Sequence, residues 1–329
     1  MDELIHWLLH SDEPWTRYHT LVDLLGMAEG YPDVRTARSE MLVSPMIQSL
    51  MAEAAAWPGY PITRHNDARH PIYKISTLAD FGLRAVDPGM GDIVSRICDH
   101  QSQDGAYLSL VNIPMAFGGS GEDQWTWLAC DAPTLLYALL VFGIDEAEST
   151  RRAVDHLVGL ASANGWNCAA APELGRFKGP GRRTDPCPIA NVFALKTLSQ
   201  VPLSSELPAV RSGAEMLLRH WQDRGRQKYF LFGIGSDFCK LKYPFLWYDI
   251  LHVVEVLSRF PFVRSDARFQ NMADAVFSQA DSDGRYTAGS MYQAWKGWSF
   301  ANKKAPSPWL TFLALRIQTR ITASANQGS

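Results

Sequence analysis

Residues 131–143 read DAPTLLYALLVFG: an acidic residue, a proline two places on, then a run that is apolar all round. Proline suits the first turn of a helix, where its missing N–H would have no partner anyway. The core of the run, LYALLVF, is short enough to pass for a buried strand. Four other stretches repeat its design and decide the matter for helix. They are HPIYKISTLADFGL from His70, DPCPIANVFALKTL from Asp185, YDILHVVEVLSRF from Tyr248 and PSPWLTFLALRI from Pro306. Pro71, Pro133, Pro188 and Pro308 mark the steps, with Tyr248 standing in for the fifth, and WTRYHTLVDLLG from Trp15 makes a sixth member.

Between these apolar segments lie helices of another character. DARFQNMADAVFSQA, from Asp266, places Phe269, Met272, Ala273, Val276 and Phe277 on one stripe, the pattern of a helix with one wet face. Residues 34–52, 88–101, 147–162 and 208–222 read the same way. Glycine-punctuated turns follow, at 101–105, 164–166 and 279–284. Helices apolar all round alternating with one-sided helices predict two concentric layers. Six such pairs can close on themselves, so the expected fold is an all-α toroid, an α6/α6-type barrel. It forms a single domain over residues 1–321, with a disordered tail at 322–329.

Composition bounds the function. The chain has 329 residues, is 47% hydrophobic and 20% charged, and carries a net charge of −3. That balance excludes a nucleic-acid-binding polycation. The five cysteines, Cys98, Cys130, Cys168, Cys187 and Cys239, are odd in number and scattered, which points to a reducing compartment rather than a disulfide framework. The N-terminus starts acidic, without the basic start of a signal peptide, and the longest apolar run, 132–144, is too short to span a bilayer. A cytoplasmic protein without a membrane span is expected. No GxGxxG at a strand–helix junction and no phosphate-binding GxxxxGK loop is present, so a nicotinamide or nucleotide cofactor is not expected.

The long loops before the apolar helices carry recurring basic residues, and loops of that length are usually functional. If the apolar helices run parallel, these loops and the helix N-termini meet at one mouth and favour an anion such as a phosphate, diphosphate or carboxylate. The candidate anion ligands are Arg64, His65, His70, Lys74, Arg182, Arg183, Lys240, Lys242 and Lys303. The remaining long loop is acidic instead, with Glu122, Asp123 and Asp131. Trp125 and Trp298 are candidate aromatic walls for a hydrophobic or cationic group.

GRFKGPGRRTDPCP, from Gly175, resembles the β subunit of protein prenyltransferases, where a glycine-rich basic loop leads into Asp-x-Cys at the head of an inner helix. The resemblance implies an α6/α6 barrel, a Zn²⁺ bound by Asp, Cys and His, and a prenyl diphosphate gripped by basic residues. It makes Asp185 and Cys187 metal ligands and sets Arg182 and Arg183 on the diphosphate. The family's histidine follows a tyrosine at the next inner helix; here Tyr248 is followed by Asp249, and His252 lies one turn on. The chain also resembles squalene-type terpenoid cyclases through Gln101, Gly105 and Tyr107, but lacks their Asp-x-Asp-Asp proton donor.

The residue types give their own, looser reading. Asp, Cys and His are zinc ligands, and Asp249 and His252 share a helix face. Asp185 and Asp249 equally suit helix N-caps, and Cys187 a small core residue. Cys130-Asp131 occupies the equivalent phase one repeat earlier, as a second acid or ligand, or with Asp131 as an N-cap. The expected catalytic set is therefore Asp131, Asp185, Cys187, Tyr248, Asp249 and His252, and the expected metal set Asp185, Cys187, Asp249 and His252. The leading expectation is a prenyltransferase- or terpenoid-cyclase-like enzyme acting on an anionic, partly hydrophobic small molecule. A carbohydrate-active toroid using Asp131 and Asp249 and a non-catalytic ligand-binding toroid are the alternatives.

Overall fold

Each of the marked prolines opens a helix in a computed structural model of the chain, which describes residues 2–175, 177, 184–226 and 232–325. The apolar helices run Pro71–Asp80, Ala132–Val141, Pro188–Leu198, Ile250–Leu257 and Pro308–Ala325. The sixth member begins as Pro14–His19 and continues through a π-helical turn, Thr20–Leu24. There Thr20 Oγ1 donates to the Thr16 carbonyl at 2.8 Å, a back-bond that loosens the helical ladder. The one-sided helices are Met90–Cys98, Glu148–Gly159, Pro208–Gln222 and Ala267–Phe277. The single helix expected over 34–52 is two, Pro32–Val43 and Pro45–Ala55. Pro45 has no N–H for the helical ladder and pushes Ser44 into extended backbone, so one helix must stop and another start. The fold is all-α; the described strands are four, none longer than three residues, in two antiparallel pairs.

The chain divides into two units. One contains residues 51–235 and 246–248, the other residues 1–50, 236–245 and 249–329. In the first, the Pro71 helix packs on the Ala132 helix, and the Ala132 helix on the Pro188 helix. All eleven residues of the Pro188 helix are buried, whereas Glu148–Gly159 buries only Thr150, Ala153 and Leu157, spaced as one stripe. Lys196, 2% exposed, is buried in this row. Its Nζ lies 2.8 Å from Asp80 Oδ1 and 4.2 Å from the Tyr137 ring centre, and the Tyr137 hydroxyl donates to Asp80 at 2.7 Å. A buried charge is tolerable only when paired in this way.

In the second unit the Ile250 helix packs between Ala267–Phe277 and the Pro308 helix. Its Glu255, fully buried, meets Arg259 at 3.0 Å, Arg316 at 2.9 Å and Arg320 at 3.0 Å. Burial opposes the charge on Glu255, but the three guanidinium groups hold its carboxyl well below the usual range.

Candidate functional site

In the unit of residues 51–235, short backbone pairings gather the loops that precede the helices. Ala129 N–H donates to the Ala169 carbonyl at 2.9 Å, and Ala171 N–H to Trp127 at 3.1 Å. Asn167 bridges Pro186, and Cys187 N–H donates to the Trp166 carbonyl at 2.9 Å. The Asn191 side chain fixes the second pairing: it accepts from Trp166 N–H at 3.0 Å and donates to the Trp166 and Cys187 carbonyls at 2.7 and 2.8 Å. A Cβ on Gly165 would stand 2.2 Å from the Asn191 Oδ1, so this position requires glycine. The pairing sets Cys130, Cys168 and Cys187 on adjacent segments, with a hydrogen bond between the Cys168 and Cys187 thiols.

His65 completes the cluster. Its loop is tied to residues 110–112 through Ile62, and the Tyr73 hydroxyl, from the Pro71 helix, donates to the His65 carbonyl. His65 Nδ1 lies 3.3 Å from Cys130 Sγ and 3.3 Å from Asp131 Oδ1, and Nε2 lies 3.8 Å from the sulfur. The ligand atoms of His65, Cys130 and Asp131 all lie within 4.8 Å of one another, the one such trio of His, Cys, Asp or Glu among the described residues. Asp131 is 3% exposed and stands at the N-cap of the Ala132 helix, yet its side chain makes no cap hydrogen bond. Its Oδ2 is buried with no hydrogen-bond partner among the described residues.

The electrostatics select among chemistries. Burial pushes the Cys130 thiol up to about 12, with the Asp131 carboxylate adding to the rise and His65 opposing it. Burial also works against charge on His65, but Cys130 and Asp131 beside it hold the imidazole well above its usual value. A cysteine nucleophile needs a depressed pKa and a base on one side of the ring. Here the thiol and the carboxylate crowd the same nitrogen, Nδ1. A soft thiol, a borderline imidazole and a hard carboxylate with an orphaned oxygen, converging on one point, fit a zinc-class cation better, since a cation deprotonates the thiol and takes the carboxylate's spare lone pair.

Other expected site residues have different placements. His70 is a helix cap: its Nδ1 accepts from Ile72 N–H at 3.2 Å and its Nε2 donates to the Tyr60 carbonyl at 2.9 Å, while burial lowers its pKa. Lys74 is buried against Glu53 at 3.0 Å, and Arg64 is exposed. Trp125 stacks on His100 with ring centres 3.7 Å apart. Cys187 caps the Pro188 helix, its sulfur accepting from Ala190 N–H at 3.5 Å. The Cys168 hydrogen bond and burial hold its thiol well above the usual range. Asp185 is half-buried, one residue before the Asn167–Pro186 bridge. Tyr248 donates to the Gly233 carbonyl at 3.1 Å. Arg182 and Arg183 lie outside the described residues.

The remaining expected residues belong to the other unit, so neither unit contains the whole set Asp185, Cys187, Asp249 and His252. Asp249 is the N-cap of the Ile250 helix, Oδ1 accepting from His252 N–H at 3.3 Å, and the fully buried His252 ring stacks on Phe245. Burial raises the Asp249 carboxyl to about 7, opposed chiefly by Lys242. Lys240 and Lys242 both pair with Asp237, at 3.2 and 2.6 Å. Lys303 and Trp298 line a surface cavity of about 670 Å³. Sequence reasoning named His65 and Asp131 but in separate roles, and it passed over Cys168. The available signal was Cys130-Asp131 recurring at the phase of Asp185-Pro186-Cys187.

No family model matches the chain, and no curated protein matches it in sequence. Among solved structures it is similar to a protein from Actinoplanes at 14% identity, covering 95% of this chain and 90% of that one, with a TM-score of 0.42. It is also similar to a variant of the type II terpene cyclase MstE from Scytonema in complex with geranylgeranyl dihydroxybenzoate. That likeness has 12% identity, covers 95% of this chain and 87% of that one, and has a TM-score of 0.44. The apo form of MstE gives 11% identity over 85% of this chain and 98% of that one, with a TM-score of 0.31.

Proposed function

We propose that the protein is a metal-assisted enzyme whose His65, Cys130 and Asp131 hold a zinc-class divalent cation at the head of the Ala132 helix. The observation that carries this reading is the buried Asp131 Oδ2, without a hydrogen-bond partner among the described residues, beside a thiol and an imidazole already within ligand reach of its carboxylate. Such a group costs stability unless something binds it. Three protein ligands are the number that catalytic zinc sites use, leaving a fourth position for substrate or water. The bound cation would supply Lewis acidity and keep the Cys130 sulfur as a thiolate. The chain's own part is to orient: Tyr73 fixes the His65 backbone, and the Asn191 clamp and loop pairings hold the cysteine segments. Of the reactions that the sequence resemblance implies, prenyl transfer to a partly hydrophobic small molecule suits a thiolate–metal centre, and we assign the protein to that reaction class.

The test is elemental analysis of protein purified without added chelator. Wild type should carry about one metal ion per chain, and Cys130→Ser should lose most of it, because a neutral hydroxyl replaces a thiolate. The Cys187→Ser variant should keep it. Metal-free wild-type protein that also takes up no Zn²⁺ on titration would end this reading. A second reading rests on Asp249, whose carboxyl near 7 is still partly protonated at neutral pH and suits proton donation. An activity that survives Asp249→Asn removes it.

A further inference from the structure

Three of the five cysteines meet where the loops pair, and the metal reading uses only Cys130. Leu128 bridges Ala170 in antiparallel register, and Asn167 bridges Pro186 in the same sense. Cys168 lies between the two bridges, in a tight turn in which Ala169 N–H donates to the Asn167 carbonyl at 2.9 Å. Counted outward from the bridges, Cys168 comes opposite Cys130 on one side and opposite Asp185 on the other. Cys187 is two residues beyond Asp185, so its side chain leaves the same face of the pairing as that of Cys168. A hydrogen bond joins the Cys168 and Cys187 thiols, whereas Cys130 Sγ is engaged by His65 Nδ1 at 3.3 Å. Cys168 is half-buried, and Cys130 and Cys187 are buried. The backbone of Cys187 is held on both sides, its N–H by the Trp166 carbonyl and its carbonyl by Asn191 Nδ2. A thiol within reach of solvent therefore touches a second one that is buried and fixed.

We propose that Cys168 and Cys187 form a reversible dithiol–disulfide site that reacts with small-molecule disulfides of the glutathione class. In the first step the Cys168 sulfur gives up its proton and attacks one sulfur of oxidised glutathione. The reagent's S–S bond breaks, and one glutathione leaves with that proton. In the second step the Cys187 sulfur gives up its proton and attacks the Cys168 sulfur of the mixed disulfide, and the second glutathione leaves with it. Two protein thiols lose two electrons, and one disulfide is reduced to two thiols. The Cys168 hydrogen bond and burial hold the Cys187 thiol well above its usual range, so it is inert toward a reagent in solution. Toward a sulfur already in contact the attack is intramolecular, which offsets a small thiolate fraction. The site suits cysteines read as those of a reducing compartment, where disulfides are transient. It does not rest on the metal centre, whose ligand trio contains neither sulfur.

The test treats the full chain with oxidised glutathione, alkylates the remaining thiols in denaturant and maps the peptides by mass spectrometry. Wild type should show one internal bond, Cys168 to Cys187, with Cys130 alkylated, and dithiothreitol should reverse it. Cys187→Ser should hold glutathione on Cys168 as a lasting adduct, and its hydroxyl keeps the cap on Ala190 N–H. Cys168→Ser should leave Cys187 alkylated. Glutathione retained on Cys168 in wild type, a bond to Cys130, or an unreacted Cys168 would overturn the proposal. If Cys187→Ser does not fold, the wild-type map and Cys168→Ser, at a half-buried position, still decide the question. The maps in EDTA and in Zn²⁺ should agree. A bond that forms only in EDTA would make one of the two sulfurs a metal ligand and would also overturn the proposal. Protein that takes up no Zn²⁺ yet gives the Cys168–Cys187 bond would remove the metal reading and leave this site standing.

Discussion

The Asp131→Asn substitution should change the sign of its effect on stability with the metal supply. Without metal, wild type carries a buried carboxylate oxygen with no hydrogen-bond partner among the described residues, a defect that costs about 1–3 kcal/mol. The variant buries a neutral amide instead, which is cheaper to desolvate. It gives up the 3.3 Å contact to His65, whose side chain is 27% exposed, so that loss is at most about 1 kcal/mol. In chelator, then, Asp131→Asn should be neutral or stabilising by up to about 2 kcal/mol. With Zn²⁺ at a hundred times its dissociation constant, wild type gains about 2.7 kcal/mol that the variant mostly cannot. Unfolding entropy of about 2.1 cal/mol/K per residue converts that gain into a rise in melting temperature. The rise is about 4 °C if the 329-residue chain melts as one, and about 7 °C if the unit of residues 51–235 melts alone. Thermal melts of both proteins in EDTA and in Zn²⁺, four curves in all, carry the test. If zinc leaves wild type unmoved and the two proteins keep the same order in both buffers, the cluster is packing and the metal assignment fails.

Three further outcomes are expected. Glu255→Gln should cost on the order of 3–5 kcal/mol in urea unfolding, because it leaves Arg259, Arg316 and Arg320 facing one another without a counter-charge. Because the Glu255 pKa is depressed on folding, its contribution is present above the unfolded value near 4.5 and lost as pH falls below it, and the variant's acid limb should be flatter. Asp249 has the opposite sign: its folded pKa of about 7 exceeds the unfolded 3.8, so stability should fall as pH rises from about 4 to 7, by on the order of 4 kcal/mol. Asp249→Asn should remove that slope, and a slope unchanged in the variant would put the titration elsewhere. Lys196→Met should cost about 3–5 kcal/mol by stranding Asp80, and adding Asp80→Leu should return much of it; strictly additive losses would show that the pair is not coupled.

What the sequence disclosed followed the range of the interaction concerned. Proline at the first turn acts within its own helix, so Pro71, Pro133, Pro188 and Pro308 announced their helices directly. One-sided stripes such as Phe269, Met272, Ala273 and Val276 are equally local, and that face is the buried one. Pro45 carried the same message, yet the apolar pattern running through it disguised the break after Val43. The site was harder, because its parts are 65 residues apart and meet only through loop pairings that leave no period in the sequence. His65 looked like one more basic loop residue, and Cys168 like a scattered cysteine. Lys240 and Lys242 looked like anion ligands because Asp237, which takes both, sits just upstream in a loop with no fixed pattern.

The Lys196–Asp80 pair also bears on the order in which the chain can be made. Asp80 is synthesised 116 residues before its buried ammonium partner. Throughout that interval the growing chain holds a carboxylate destined for an apolar row, with Tyr137 arriving midway as a hydrogen-bond donor. The Pro71 and Ala132 helices can therefore touch during synthesis but cannot dry their shared face until the Pro188 helix clears the ribosome. A nascent chain ending before residue 196 is a poor candidate for stable burial and a good substrate for holding factors. The same pair bears on where the gene can be cut: fragments joined between residues 80 and 196 separate the two charges, and each half then carries one member of the buried pair.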